Sequence, residues 1–350
     1  MHPDHVQALV ECTRGSMVES IHFGALAVVS SHGKLLASVG DPQLTTFLRS
    51  SAKPFQALPF IERGGADHFG LTDREIAILC ASHSGTDEHV AVLHTIQSKV
   101  GVGEGQLLCG AHNPYHEPTT QALLLRGEKP TPIRHNCSGK HTGMLAHALL
   151  RSLPLEDYIN PQHAVQQTIL QTFAEMCDVK PEEIHLGVDG CSAPVFAVPL
   201  YNAALAMARL ADPVGLPALR AAALQRIFRA MAANGDMVAG PGRFDTLIMS
   251  LMGGNLVAKA GAEGYQVIGL LPGLIGAGSP GIGMAFKIAD GDTSGRARPL
   301  VGIEILRQLG VLSAEQIAGL AGFDRRPLYN WRKLPIGEIR PCFTLERINL

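Results

Sequence analysis

The apolar residues of this chain keep changing their spacing, and that alternation constrains the fold more than any other feature of the sequence. Gly24-Ala-Leu-Ala-Val-Val-Ser30 and Lys34-Leu-Leu-Ala-Ser38, joined by Ser31-His-Gly33, read as a hairpin. From Ser50 through Lys53-Pro-Phe-Gln-Ala-Leu58 the pattern is helical, with Pro54 in the first turn, where a missing N–H costs little. Ile76-Ala-Ile-Leu-Cys80 is a short apolar run and reads as a buried strand. Asp87 is placed to cap a helix running to Val100. Three- and four-residue spacing returns over 141–153 and 162–177, and again over 219–233 after a break bracketed by Pro213 and Pro217. Residues 256–259, 265–270 and 284–288 read as strands, the first two joined by the Gly261-Ala-Glu-Gly264 turn. Such interleaving predicts a layered α/β or α+β enzyme fold.

With 350 residues the chain can build one large catalytic unit or two fused subdomains. No repeat or low-complexity linker marks a boundary, so 1–350 is read as one unit. The Gly-rich stretch 234–242, which includes Pro241, reads as an active-site loop rather than a linker. A net charge of −2 with no clustered Lys or Arg disfavours nucleic acid and anionic membrane as partners. The uncharged segment 264–286 is interrupted by Pro272, Pro280 and several glycines, which suits strands and turns better than a membrane helix. The first residues, MHPDHVQALVECTRG, carry acidic side chains where an export signal needs an apolar core. Seven widely spaced cysteines without a CxxC then point to a reduced, cytoplasmic protein.

Four segments carry candidate chemistry. In Arg49-Ser-Ser-Ala-Lys-Pro-Phe-Gln56, Ser50 and Lys53 share a helix face, so a neutral Lys amine can take the serine proton. By itself this pattern is weak, and Ser31-His-Gly-Lys34 also matches it. Cys80-Ala-Ser-His-Ser-Gly-Thr-Asp87 places Ser82 where an apolar element runs out into small polar residues. Lys259-Ala-Gly261 puts a lysine on an apolar strand, where it needs either a partner or a path to water. The order Ser-x-x-Lys, Ser-x-Ser, Lys-Ala-Gly echoes the motif order of penicilloyl-serine enzymes, with Ser84 in place of Asn and Ala260 in place of a hydroxyl residue. It suggests two pairs, Ser50 with Lys53 and Ser82 with Lys259. The fourth segment, His135-Asn-Cys-Ser-Gly-Lys-His-Thr-Gly-Met144, is followed later by Val188-Asp-Gly-Cys-Ser-Ala-Pro194. Each places a Cys in a loop, and on spacing alone these are structural thiols sooner than metal ligands.

The same residues carry a family resemblance over almost the whole chain. Thr13-Arg-Gly15, Glu19-Ser-x-His-x-Gly24, Arg49-Ser-Ser-Ala-Lys-Pro-Phe-Gln56, Ala81-Ser-His-Ser-Gly85, Cys109-Gly-Ala-His112, His135-Asn-Cys-Ser-Gly-Lys-His141, Asp189-Gly-Cys191, Gly242-Arg-Phe-Asp-Thr246 and Lys259-Ala-Gly-Ala-Glu-Gly264 resemble the Rhizobium-type L-asparaginases, the asparaginase II family. The resemblance implies hydrolysis of L-asparagine to L-aspartate and ammonia through the pairs Ser50–Lys53 and Ser82–Lys259. Ser50 is favoured as nucleophile because a serine at a helix start sits in a positive field, with Ser82 and Lys259 passing the proton to ammonia; the exchanged roles are the alternative. It further implies one zinc ion on Cys137, Lys140, Cys191 and a water. Asp189 and His141 would then stand beside metal and substrate, and Arg49 would orient Ser50. A fold akin to the serine β-lactamases and glutaminases, and a homodimer, are also implied. The loop Thr86-Asp-Glu-His89 departs from the family's Glu-Pro-x-His. Two other readings compete: a penicilloyl-serine-type hydrolase, and a non-catalytic amino-acid-binding protein.

Overall fold

The computed structural model describes residues 2–348. The chain folds as two compact units. One comprises the chain through Leu48, Val198–Asp212 and everything from Ala258 on; the other comprises Arg49–Ala197 and Pro213–Val257. Two of the four crossings fall inside strands, Pro194–Pro199 and Leu256–Ala260. Strand residues have no linker composition, which is why no boundary can be read from the sequence.

The first unit is built on an antiparallel sheet. Met17–Ser30 pairs with Leu35–Val39 as the alternation predicts, placing Val28 opposite Ala37. On its other edge it pairs with Ile282–Ile288, which in turn pairs with Tyr265–Leu270. Every residue of Ile282–Ile288 is buried, so both faces of that strand are covered. Helix Leu200–Ala211 lies on it and is rich in alanine. A Cβ at Gly283 would sit 1.8 Å from the Ala204 carbonyl oxygen, so only glycine permits this approach. Helix Arg298–Gln308 packs on Tyr265–Leu270. The segment 264–286 is therefore strand, turn and strand. Among the described residues no helix is long and apolar enough to cross a membrane.

The second unit is helical around Lys53–Glu62, whose residues Lys53 to Ile61 are all buried. Ala164–Cys177, Ser138–Leu150 and Ala218–Ala233 pack around it. A 3-10 turn, Arg49–Ala52, leads into it. Two sequence expectations change here. Residues 76–80 are not a strand: they close helix Asp73–Leu79, which Thr72 and Glu75 start with a reciprocal capping box. The helix is short and its residues 75–79 are all buried, so it shows no exposed polar stripe to betray a helical period. The cap of Asp87–Val100 is Thr86, one residue before the expected Asp87, and its side chain accepts from the His89 N–H. The chain is thus a mixed α/β protein, as the interleaved pattern predicts.

His147 on helix Ser138–Leu150 is 1% exposed, and neither ring nitrogen has a hydrogen-bond partner among the described residues. Burial, with Arg151 and Arg63 adding repulsion, pushes its pKa down to about 3. The folded chain thus keeps this ring neutral, while the unfolded chain protonates it near pH 6.5. The unfolded state binds the extra proton, so stability falls as pH drops from about 6.5 toward 3, by up to ~1.4 kcal/mol per unit. Urea midpoints measured between pH 7 and 5 should show this loss, and His147→Leu should flatten the slope by one proton. An unchanged slope would refute the assignment.

Candidate active site

All the candidate residues except Lys259 lie in the second unit. Lys53 is fully buried in the first turn of its helix. Its Nζ lies 2.9 Å from Ser82 Oγ, 2.5 Å from the Ala81 carbonyl and 3.4 Å from the Asn136 carbonyl. The serine it meets is thus Ser82, not the Ser50 three residues before it. Ser82 follows the end of helix Asp73–Leu79 rather than a strand, and its N–H donates to the Val238 carbonyl at 2.9 Å. Ser50 is 9% exposed in the turn before Lys53. Arg49 opens that turn with φ +52, a left-handed conformation that costs a non-glycine residue roughly 1 kcal/mol or more. What holds it there is an ion pair: Arg49 Nε donates to Asp189 Oδ1 at 2.8 Å.

Asp189 sits in the tight turn between strands His185–Val188 and Pro194–Pro199, closed by bonds from its own N–H to Ala193 and from Ser192 N–H to its carbonyl. Burial alone would raise the Asp189 pKa, but Lys140 and the Arg49 hydrogen bond outweigh it and hold the group below its usual value. Cys191 lies on the same turn. Its sulfur accepts from Lys140 Nζ at 2.9 Å. The hydrogen bond with Cys191 holds Cys137 far below the usual thiol range, against burial and with help from Lys53 and Lys140. Cys191 is pushed up by the same bond and by burial. Burial works against a charge on Lys140, but the Cys191 and Cys137 charges prevail and raise it. Lys53, Cys137, Cys191, Lys140 and Asp189 therefore form one continuous cluster.

His141 borders it. The Tyr158 hydroxyl accepts the Leu108 N–H at 2.9 Å and lies 2.7 Å from His141 Nδ1. Its own proton then serves Nδ1, which puts the ring proton on Nε2. That Nε2 is buried and faces the Cys191 sulfur. Burial lowers the His141 pKa to about 4, so the ring is neutral. Among the described residues no group of three or more His, Cys, Asp or Glu is arranged to hold a metal. The set here is two cysteines and a lysine.

Lys259 lies in the other unit, on strand Leu256–Ala260. It is 1% exposed, so it does not reach out to solvent, and its Nζ donates to the Ala260 carbonyl at 2.7 Å.

The sequence reading passed over several residues at this site. His83 is fully buried; its Nδ1 accepts the Gly85 N–H at 3.1 Å, so its Nε2–H donates to Ser138 Oγ at 2.9 Å, and Ser138 donates to Ile133. This relay ties the Ser82 segment to the Cys137 segment. His112 Nε2 accepts the Asn136 N–H at 3.1 Å and braces the peptide whose carbonyl faces Lys53. Tyr115 and Arg243 stand beside it. The first two lie in the motif strings Ala81-Ser-His-Ser-Gly85 and Cys109-Gly-Ala-His112, which gave them no role.

A family model described as L-asparaginase II matches residues 10–341. No curated protein matches the chain. Among solved structures it is similar to Mglu in its native form, at 14% identity over 83% of this chain and a TM-score of 0.42. This chain spans 66% of the length of that one. It is also similar to a Bacillus glutaminase crystallised in the presence of 4.3 M NaCl, at 11% identity over 82% of this chain and 91% of that one, with a TM-score of 0.37. The match to residues 10–341 takes in every segment of the cluster, and the chain belongs to the L-asparaginase II family.

Proposed function

We propose that the chain hydrolyses the side-chain amide of L-asparagine with Ser82 as nucleophile and Lys53 as its base. The observation that carries this reading is the buried 2.9 Å contact between Lys53 Nζ and Ser82 Oγ. A neutral amine has two N–H donors and one lone pair. In that free-amine form Lys53 can accept the Ser82 proton, with the Ala81 and Asn136 carbonyls within reach of its N–H groups. Ser82 Oγ then attacks the amide carbon as its proton passes to Lys53. The tetrahedral adduct collapses by breaking the C–N bond, and Lys53 returns the proton to the departing ammonia. Water, deprotonated by Lys53, cleaves the β-aspartyl ester, and the proton goes back to Ser82 Oγ. The sequence reading favours Ser50 for the attack; the Lys53 contact supports Ser82 in that role.

A zinc ion fits the neighbouring donors. Zinc prefers sulfur and nitrogen in fourfold sites, and Cys137, Cys191 and Lys140 would supply three such atoms, the first and last each in contact with Cys191. Bound there, it would supply a positive charge and one open position beside Asp189. A lysine ligates only as the free amine, and a cysteine only as thiolate. Because Lys140 and Cys191 hold their protons, each must release one on binding. Zinc affinity should therefore rise with pH, the logarithm climbing with a slope approaching about two per unit between pH 6 and 8. Competition with a chromophoric chelator measures this, and a flat profile would reject the ligand set. By the family resemblance the chain is also expected to act as a cytoplasmic homodimer.

The test is ammonia release from L-asparagine and L-glutamine, followed by mass spectrometry after trapping with an electrophilic asparagine analogue. The adduct is expected on Ser82. An adduct on Ser50 would reverse the two roles, and no ammonia from either amide would reject the function.

A further inference from the structure

The Gly-rich stretch 234–242 is pinned to the segment that carries Ser82. The Val238 carbonyl accepts the Ser82 N–H, and the Ala239 carbonyl accepts Ser84 Oγ at 2.7 Å. Gly240 takes φ +121, and a Cβ there would lie 2.5 Å from Ser84 Oγ, so the approach requires glycine. The Gly240 N–H donates to Thr246 Oγ1 at 3.1 Å, which ties the stretch to the start of helix Phe244–Leu251. Between these two anchors stands Arg243. It is half-buried, and its guanidinium makes no hydrogen bond or ion pair to any described residue. Its carbon rests 5.8 Å from the centre of the Tyr115 ring.

A ring face supports a guanidinium through the quadrupole and consumes none of its N–H donors. Arg243 is thus held in place with its donors unspent. The Tyr115 hydroxyl has no hydrogen-bond partner among the described residues either. Its ring stacks on His112, with centres 4.9 Å apart and planes at 23°. His112 accepts the Asn136 N–H, and the Asn136 carbonyl faces Lys53. A short chain of neighbours therefore runs from Arg243 to the base. Besides burial, the charges acting on Tyr115 are Cys137, Arg243, Asp189 and Arg49, which places it at the same cluster. There Arg49 and Asp189 neutralise one another. Arg243 is left as a cation without a counter-charge.

Resting on the amidohydrolase reading, we propose that Arg243, seated on Tyr115, binds the α-carboxylate of the substrate and so selects free α-amino-acid amides. A guanidinium takes a carboxylate through two parallel N–H···O bonds, and an ammonium cannot match that geometry.

The test compares L-asparagine with 3-aminopropanamide, which has the same amide and ammonium but no α-carboxylate. In Arg243→Met the KM for L-asparagine should rise roughly 30- to 100-fold, with kcat within about threefold. The low kcat/KM for 3-aminopropanamide should change less than about threefold, and Arg243→Lys should recover only part of the loss. Equal losses on both substrates, or an unchanged KM for asparagine, would overturn the proposal. Calorimetric titration with L-aspartate needs no turnover. If the unaltered protein hydrolyses neither amide, the function falls alone, and the proposal stands if aspartate binds at least about 30-fold more weakly to Arg243→Met. No difference in that titration, or no binding to the unaltered protein, overturns it.

Discussion

Ser82→Ala should reduce the kcat for ammonia release from L-asparagine by at least about a thousandfold while leaving the protein folded. Ser82 is 6% exposed, and Lys53 Nζ is 2.9 Å from its hydroxyl. Removing one oxygen leaves Lys53 its two carbonyl acceptors, so the packing is little changed. Lys53→Met should cost kcat as much, and some stability besides. The Ala81 and Asn136 carbonyls would then face a thioether, and a buried polar group without a partner costs about 1–3 kcal/mol. If the two residues act as one unit, the double variant is no slower than either single variant. Circular dichroism and thermal melting separate loss of fold from loss of chemistry. A Ser82→Ala enzyme within tenfold of the original would remove the basis of the mechanism.

Gly139→Ala should lower stability by about 3 kcal/mol or more, a melting decrease of several degrees for a protein of this size. A Cβ on Gly139 would lie 2.0 Å from the Ile78 carbonyl oxygen, and backbone cannot rotate away as a side chain can. Helix Ser138–Leu150 would have to move off Asp73–Leu79. The same motion would displace Cys137 and Lys140 on one side and Ser82 on the other, so activity should fall along with stability. Gly143→Ala, one turn on, is the control. Its nearest neighbours are Leu79 side-chain atoms at 3.5 Å, ordinary contact. There alanine should be neutral or stabilise by up to about 1 kcal/mol through helix propensity. Equal melting temperatures for the two variants would contradict the packing described.

These two helices show how far local pattern reaches. Ser138–Leu150 is legible because apolar residues recur at helical spacing. Asp73–Leu79 is not, since burial from every side removes the polar face on which a period is seen. Its capping box, Thr72 with Glu75, was visible in the sequence and decides the matter where hydrophobicity cannot. Arg243 was legible only as part of a motif. That it lacks a counter-charge, and rests on Tyr115, depends on residues more than a hundred positions away.

From its own order of residues the chain determined the interleaving of strand and helix, the first-unit hairpin and the family to which it belongs, because periodicity and motif strings are local. The identity of the serine facing Lys53, the contact of Lys140 with Cys191 and the left-handed turn at Arg49 were decided only by tertiary structure. Each depends on distances of a few ångströms between segments far apart in the chain, and hydrogen bonds and ion pairs weaken too steeply with distance to be inferred without coordinates.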